Sequence, residues 1–198
     1  MKTLQEQLEA AGLQVSGCCL PLSQAYGEDF LQVSQLLQDM TPAEADVLGA
    51  SMLLVRVEQG QALIREGDAG EWMLLVLKGT VDVTKRGFPR HEESVDAAST
   101  ADDLAEPSEE EFSRIAVITR GATLGEMSML DSEPRYASCV ALEPVEAGVL
   151  GRREIGLLIR DHPSVGAKLL VKITQLMARR LRNTSNQLVK IMRAKQAA

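Results

Sequence analysis

No proline or glycine interrupts residues 167–198. Apolar side chains run into and through that stretch at steps of three, four or seven: Val165, Leu169, Ile173, Leu176, Met177, Leu181, Leu188, Ile191 and Met192. The spacing predicts a helix of about 30 residues, roughly 45 Å long at a rise of about 1.5 Å per residue. Pro163 suits the first turn, with Asp161 as the expected cap. Such a helix is longer than a small domain is wide. Part of its apolar stripe must meet something beyond the chain's own core, most simply a second copy of the chain. The competing arrangement folds the helix back onto its own domain.

Upstream the period changes. Leu53, Val55 and Val57 alternate with Leu54, Arg56 and Glu58. Trp72 to Leu77 is a compact apolar run between Gly70 and Gly79, and Val81 and Val83 alternate with polar neighbours up to Lys85. Ile115 to Ile118, Tyr136 to Leu142 and Val145 to Leu150 continue the series. Short strands punctuated by glycines point to an antiparallel roll or barrel and away from a βαβ sheet.

The N-terminal region reads as helical. A short helix is expected from Thr3 to Ala11 and a second from Phe30 to Met40, where Phe30, Val33, Leu36 and Leu37 recur at helical spacing. Ser16-Gly17 reads as a turn within weakly patterned sequence. Thr41-Pro42-Ala43-Glu44 is a helix start, with Thr41 as N-cap, Pro42 in the first turn and Glu44 as the returning carboxylate of a capping box. The expected class is α+β: an antiparallel, jelly-roll-like β-roll with N-terminal helices and a long C-terminal helix. The expected division is residues 1–45 helical, 46–160 the β-roll, and 161–198 the long helix.

The net charge of −7 conceals an asymmetry. Residues 152–198 hold eleven Lys or Arg against Glu154 and Asp161, which leaves that end at +9 and the remainder at −16. Nine acids, from Glu92 to Glu111, crowd the stretch 86–113, which reads as a solvated acidic insertion. Bulk charge therefore does not favour duplex nucleic acid as a partner. Aromatic residues make up 3% of the chain, so its core must be aliphatic. No apolar run reaches the roughly 18 residues a membrane span needs, and no secretory signal is evident. Cys18, Cys19 and Cys139 make no disulfide framework, and with His91 and His162 the only histidines no metal site is expected. No nucleophile–base spacing suggests an enzyme. A cytoplasmic protein with reduced thiols is expected.

The chemistry lies in Gly121-Ala122-Thr123-Leu124-Gly125-Glu126-Met127-Ser128-Met129-Leu130, followed by Glu133-Pro134-Arg135-Tyr136-Ala137-Ser138. Gly125 permits close backbone approach, and the amides after it open a helical turn whose free N–H groups attract an anion. Arg135 adds a permanent charge and a planar donor fork suited to phosphate oxygens. Glu126 cannot bind an anion; it can accept from a sugar hydroxyl or orient an arginine. An anion site beside a hydroxyl acceptor describes a ribose phosphate. Taken singly, each feature is more often a turn, a helix start or a solvated charge.

In order and at these distances, the motifs resemble the phosphate-binding cassette of the cyclic-nucleotide-binding domain family. Ile64-Arg65-Glu66-Gly67-Asp68, Gly70 and Leu77-Lys78-Gly79-Thr80-Val81 resemble that family's glycine-marked strands, and His162-Pro163 precedes its long helix. Met177-Ala178-Arg179-Arg180-Leu181 with Thr184-Ser185 resembles the dimerising helix of the bacterial cAMP receptor proteins. The resemblance implies ligand contacts from Gly125, Glu126, Met127, Ser128, Arg135, Tyr136, Ala137 and Ser138. It also implies that Thr184 and Ser185 cap the base, Ser185 acting across a homodimer formed through the C-terminal helix. Arg180, or in competition Arg179, is implied to pair with Glu126. Cyclic AMP is the first ligand. Cyclic GMP is disfavoured because Tyr136 stands where binders of that nucleotide often carry Thr.

Two departures from the pattern matter. Tyr136 replaces a small residue, and no helix-turn-helix follows the long helix, so no direct DNA binding is expected. The implied protein is a stand-alone sensor acting through an effector partner. Alternatives are a fold that has lost its ligand and serves as an interaction module, or one that takes another messenger such as cyclic di-GMP. Arg135 is expected at the pocket and outside the core, so that Arg135→Ala abolishes binding and spares the fold.

Overall fold

A computed structural model describes residues 2–18, 21–87 and 112–196. Its elements in chain order are α1 (Leu4–Ala10), β1 (Gln14–Cys18), α2 (Leu22–Tyr26), α3 (Glu28–Val33), α4 (Pro42–Ala50), β2 (Leu53–Val57), β3 (Ala62–Ile64), β4 (Trp72–Lys78) and β5 (Val81–Arg86). They continue with β6 (Phe112–Ile118), β7 (Thr123–Leu124), α5 (Glu126–Asp131), β8 (Ser138–Ala141), β9 (Val145–Gly151), α6 (Arg152–Asp161) and α7 (Pro163–Gln196).

The strands form two antiparallel sheets, ordered β1-β2-β9-β4-β7 and β3-β8-β5-β6. This is the expected jelly-roll-like arrangement with a long C-terminal helix, although the sheets do not close into a barrel. The apolar run of β4 has a physical cause: both its faces are buried. Trp72, Leu74 and Val76 point into the roll with Val55, Val57, Ala147 and Val149. Met73, Leu75 and Leu77 point outward, beneath Phe30, Leu36, Leu48, Ile155, Leu169 and Ile173 of the helical layer. One strand thus joins the interior of the roll to the underside of α7, by the two-residue alternation of a pleated chain.

The α4 start forms as its sequence requires. Thr41 Oγ1 accepts from the Glu44 amide at 3.3 Å, and Glu44 accepts from the Thr41 amide at 2.9 Å. Glu44 also receives Lys168 Nζ of α7, at 2.8 and 2.7 Å to its two oxygens, and Ser164 Oγ at 3.1 Å. These contacts hold its carboxyl down at about 2, the Lys168 hydrogen bonds contributing most. A local cap therefore also ties the N-terminal helices to the long helix.

Several expectations need correction. The helix expected over Phe30–Met40 stops at Val33, because Ser34 is extended (φ −79°, ψ 114°) and fully buried. Turn bonds from Leu37 N to Ser34 O and Met40 N to Leu37 O follow. The break rotates Leu36, Leu37 and Met40 into the core and leaves Val33 exposed. Ser16-Gly17 is no turn; it lies in β1, which is irregular between Val15 and Gly17 where it pairs with β2. Asp161 does not cap α7. It ends α6, and its carboxylate binds the Arg160 guanidinium at 2.7 and 2.8 Å. The acidic insertion expected over 86–113 begins later and ends earlier, since Arg86 pairs with Phe112 and Lys85 with Ser113 in the β5–β6 ladder. Residues 88–111, with their nine acids and His91, lie outside the described residues. Among the described residues, no helix is long and apolar enough to cross a membrane, and no group of three or more metal-ligating side chains is present.

Candidate functional site

β7 ends at Gly125, whose φ of +77° is left-handed. Glycine takes that conformation without strain. It is needed sterically as well: a Cβ here would lie 2.5 Å from Arg135 Nη1 and 3.0 Å from Ile64 Cδ1. α5 starts at the next residue with no side chain capping it, which leaves its first amides to an outside acceptor.

The Arg65–Asp68 turn cradles Arg135. Its amide donates to Asp68 O at 2.8 Å, and its carbonyl accepts from the Gly67 amide at 2.9 Å. Its guanidinium donates through Nη1 to Gly125 O and through Nη2 to Trp72 O, each at 2.8 Å, and stacks 4.2 Å from the Trp72 ring centroid. Gly70 leaves room for this, since a Cβ there would overlap the guanidinium. Arg135 is only 3% exposed. Burial pulls its pKa from the usual 12.5 to about 10, so it remains charged at neutral pH. The expectation that it stands outside the core is therefore wrong: the cation is folded inward because two carbonyls and an indole face replace its water. Two of its five N–H donors are used this way, which leaves three. The space beside it, lined by Ile64, Asp68, Ala69 and Trp72, is about 10 Å³, room for roughly one water. Beneath it lies Cys139, whose thiol burial pushes up to about 12.

Glu126 is 1% exposed. Its Oε1 accepts from Arg180 Nη1 of α7, and Arg180 Nη2 donates to Thr123 O at 2.7 Å. Of the two arginines in competition, the pair is made by Arg180; Arg179 instead reaches Gln35 Oε1 at 3.3 Å. Glu126 Oε2 is buried with no hydrogen-bond partner among the described residues. An unpaired buried carboxylate oxygen is costly, on the order of 1–3 kcal/mol.

The remaining expected residues divide. Ser128 Oγ donates to Pro134 O at 3.3 Å, and Ser138 Oγ accepts from the Glu66 amide at 3.0 Å, so both hydroxyls hold the loop together. Met127 is exposed, and Ala137 is half-buried. Tyr136 is 58% exposed, with Lys85 Nζ 3.9 Å from its ring centroid. Thr184 and Ser185 are not brought to the roll: both are exposed, and Thr184 Oγ1 donates to Arg180 O of its own helix at 3.0 Å. Sequence reasoning missed Trp72 as the platform for Arg135 and Arg152 as a brace. Arg152 Nε donates to Met129 O at 2.7 Å, fixing the end of α5 to the start of α6. The lone Trp at the head of the densest apolar run was the available signal for the first.

The family model described as a cyclic nucleotide-binding domain matches residues 54–162, more than half of the chain and all of this cassette. The chain belongs to the cyclic nucleotide-binding domain family. Among curated proteins it is similar to the cyclic AMP receptor protein of Thermus thermophilus, 29% identical over 155 residues, which span 78% of this chain and 61% of that protein. It is also similar to a cAMP-dependent protein kinase regulatory subunit of Yarrowia lipolytica, 27% identical over 125 residues, 63% of this chain and 27% of that one. The chain thus spans less than two thirds of these relatives. Among solved structures, a cyclic nucleotide-binding domain from Methylobacillus flagellatus aligns with a TM-score of 0.71 at 28% identity, covering 96% of this chain and 94% of that one.

Proposed function

We propose that this chain is a cytoplasmic cyclic AMP sensor that works as a homodimer through α7, passes its signal to an effector protein, and catalyses no reaction itself. The observation that carries the proposal is Glu126: one oxygen held by Arg180 of α7, the other buried without a partner, in the loop that also holds Arg135. In this reading the three spare donors of Arg135 and the amides after Gly125 take the cyclic phosphate, and Glu126 Oε2 takes the ribose 2′-hydroxyl. Thr184 and Ser185 read the base, Ser185 from the second chain. A ligand on Glu126 acts on Arg180 and so biases the position of α7, provided it binds one position more tightly than the other.

The dimer is supported by α7 beyond Arg180, where Leu181, Leu188, Ile191 and Met192 are each more than half exposed. A second reading, a ligand-free interaction module, is favoured by the burial of both Arg135 and Glu126. Thermal unfolding with cyclic AMP, cyclic GMP, cyclic di-GMP and AMP separates the two. The sensor reading expects stabilisation by cyclic AMP alone; no response to any of them supports the module.

A further inference from the structure

A second cleft, of about 450 Å³, opens between the end of α3, the turn before β7 and α7. Arg120, Arg179 and Arg180 line it with Gln35, Thr119, Thr123 and Asn183, and Val33 and Leu176 give it apolar walls. Among the described residues no carboxylate lines it, and neither Arg120 nor Arg179 is in an ion pair.

The three guanidinium groups are held in place without being neutralised, except for Arg180. Arg120 donates to Tyr26 O at 3.1 Å and lies 5.0 Å from the Phe30 ring centroid. Arg179 is tethered by Gln35, and Arg180 by Glu126 and Thr123 O. A neutral acceptor fixes a guanidinium's position while leaving its charge and most of its donors available. Thr123, 2% exposed, lines the cleft, and its Oγ1 has no hydrogen-bond partner among the described residues.

We infer that this cleft is a second anion site, distinct from the Gly125–Arg135 cassette, and that it takes an organic phosphomonoester. Three arginines against the single charge of Glu126 leave a net of about +2, which a phosphomonoester dianion balances. The cleft volume falls in the range that small organic ligands fill, and Val33 and Leu176 give the organic part an apolar surface. Because Arg180 serves both this cleft and Glu126, an anion here draws on the same guanidinium that holds α7 to the cassette. The second site is thereby coupled to the first, and that coupling alone rests on the nucleotide reading.

The test is isothermal titration of the full chain with phenyl phosphate, with phenyl sulfate as the monoanionic comparator, at fixed ionic strength. The expected result is one saturable site per chain that prefers the dianion. Arg120→Gln and Arg179→Gln, both exposed positions, should each weaken it about tenfold, since one charge-assisted hydrogen bond is worth about that factor. Absence of a saturable site, equal affinity for the sulfate, or affinity unchanged in the double variant overturns the inference. Cyclic AMP titrated in parallel keeps the two readings apart. If it fails to bind wild type while phenyl phosphate binds, the nucleotide proposal falls and the second site stands.

Discussion

Replacing Arg135 by Met removes the charge and the donor fork while keeping a long apolar stem. The fall from 12.5 to about 10, in which burial outweighs the nearby Glu126 and Asp68 charges, corresponds at about 1.36 kcal/mol per pKa unit to a net cost of about 3 kcal/mol for the buried charge. Against it stand two charge-assisted hydrogen bonds, to Gly125 O and Trp72 O, of roughly 1.5–3 kcal/mol each, and the stacking on Trp72, about 1 kcal/mol. The balance predicts that Arg135→Met loses about 1–4 kcal/mol, at about 2–4 °C of Tm per kcal/mol for a domain of this size. The variant should fold, with the far-ultraviolet circular dichroism of wild type. On the proposed function, cyclic AMP at about 100 times its dissociation constant should add about 2.7 kcal/mol to wild type, a rise of about 5–11 °C. It should add nothing to the variant. Differential scanning calorimetry with and without ligand reads both numbers. A variant that cyclic AMP stabilises as much as wild type refutes the role of Arg135, and one more stable than wild type refutes the energy balance.

Three further outcomes are expected. Gly125→Ala should lower stability by about 1–2 kcal/mol for the left-handed backbone alone, and by more where the new Cβ displaces Arg135; urea titration measures it, and a neutral result would mean the loop has another conformation to hand. Glu44 contributes stability that is present above about pH 4.5 and is lost as pH falls through its folded value of about 2. Glu44→Gln should therefore be less stable than wild type at pH 7 and converge with it towards pH 2 in pH-resolved melts; parallel curves at every pH would contradict this. Leu188→Glu, at an exposed position on α7, should halve the mass of the proposed dimer by light scattering while leaving the melting of the roll unchanged; a wild type that is already monomeric, or a mass unaltered by the substitution, would refute a dimer through this face of α7.

Local chemistry was enough to write several parts of this protein in its sequence. The Thr41–Glu44 cap needs only four consecutive residues, and it formed as read. The uninterrupted period after Pro163 made the long helix legible, and alternation marked β2 and β5. The order Gly125-Glu126, then Arg135, was legible as a unit, and the fold brings its parts together, with Arg135 Nη1 donating to Gly125 O.

Tertiary structure decided the rest, wherever the partner is distant in sequence. The same apolar spacing at Phe30–Met40 serves a helix or a turn, and burial of Ser34 selected the turn. β1 exists because β2 offers it an unpaired edge, and nothing within Gln14–Cys18 announces that. Arg135 turned inward because Trp72, 63 residues away, supplies a carbonyl and an aromatic face. Arg180 prevailed over its neighbour Arg179 because one step along a helix rotates a side chain by about 100°, and only Arg180 was carried to the buried carboxylate of Glu126.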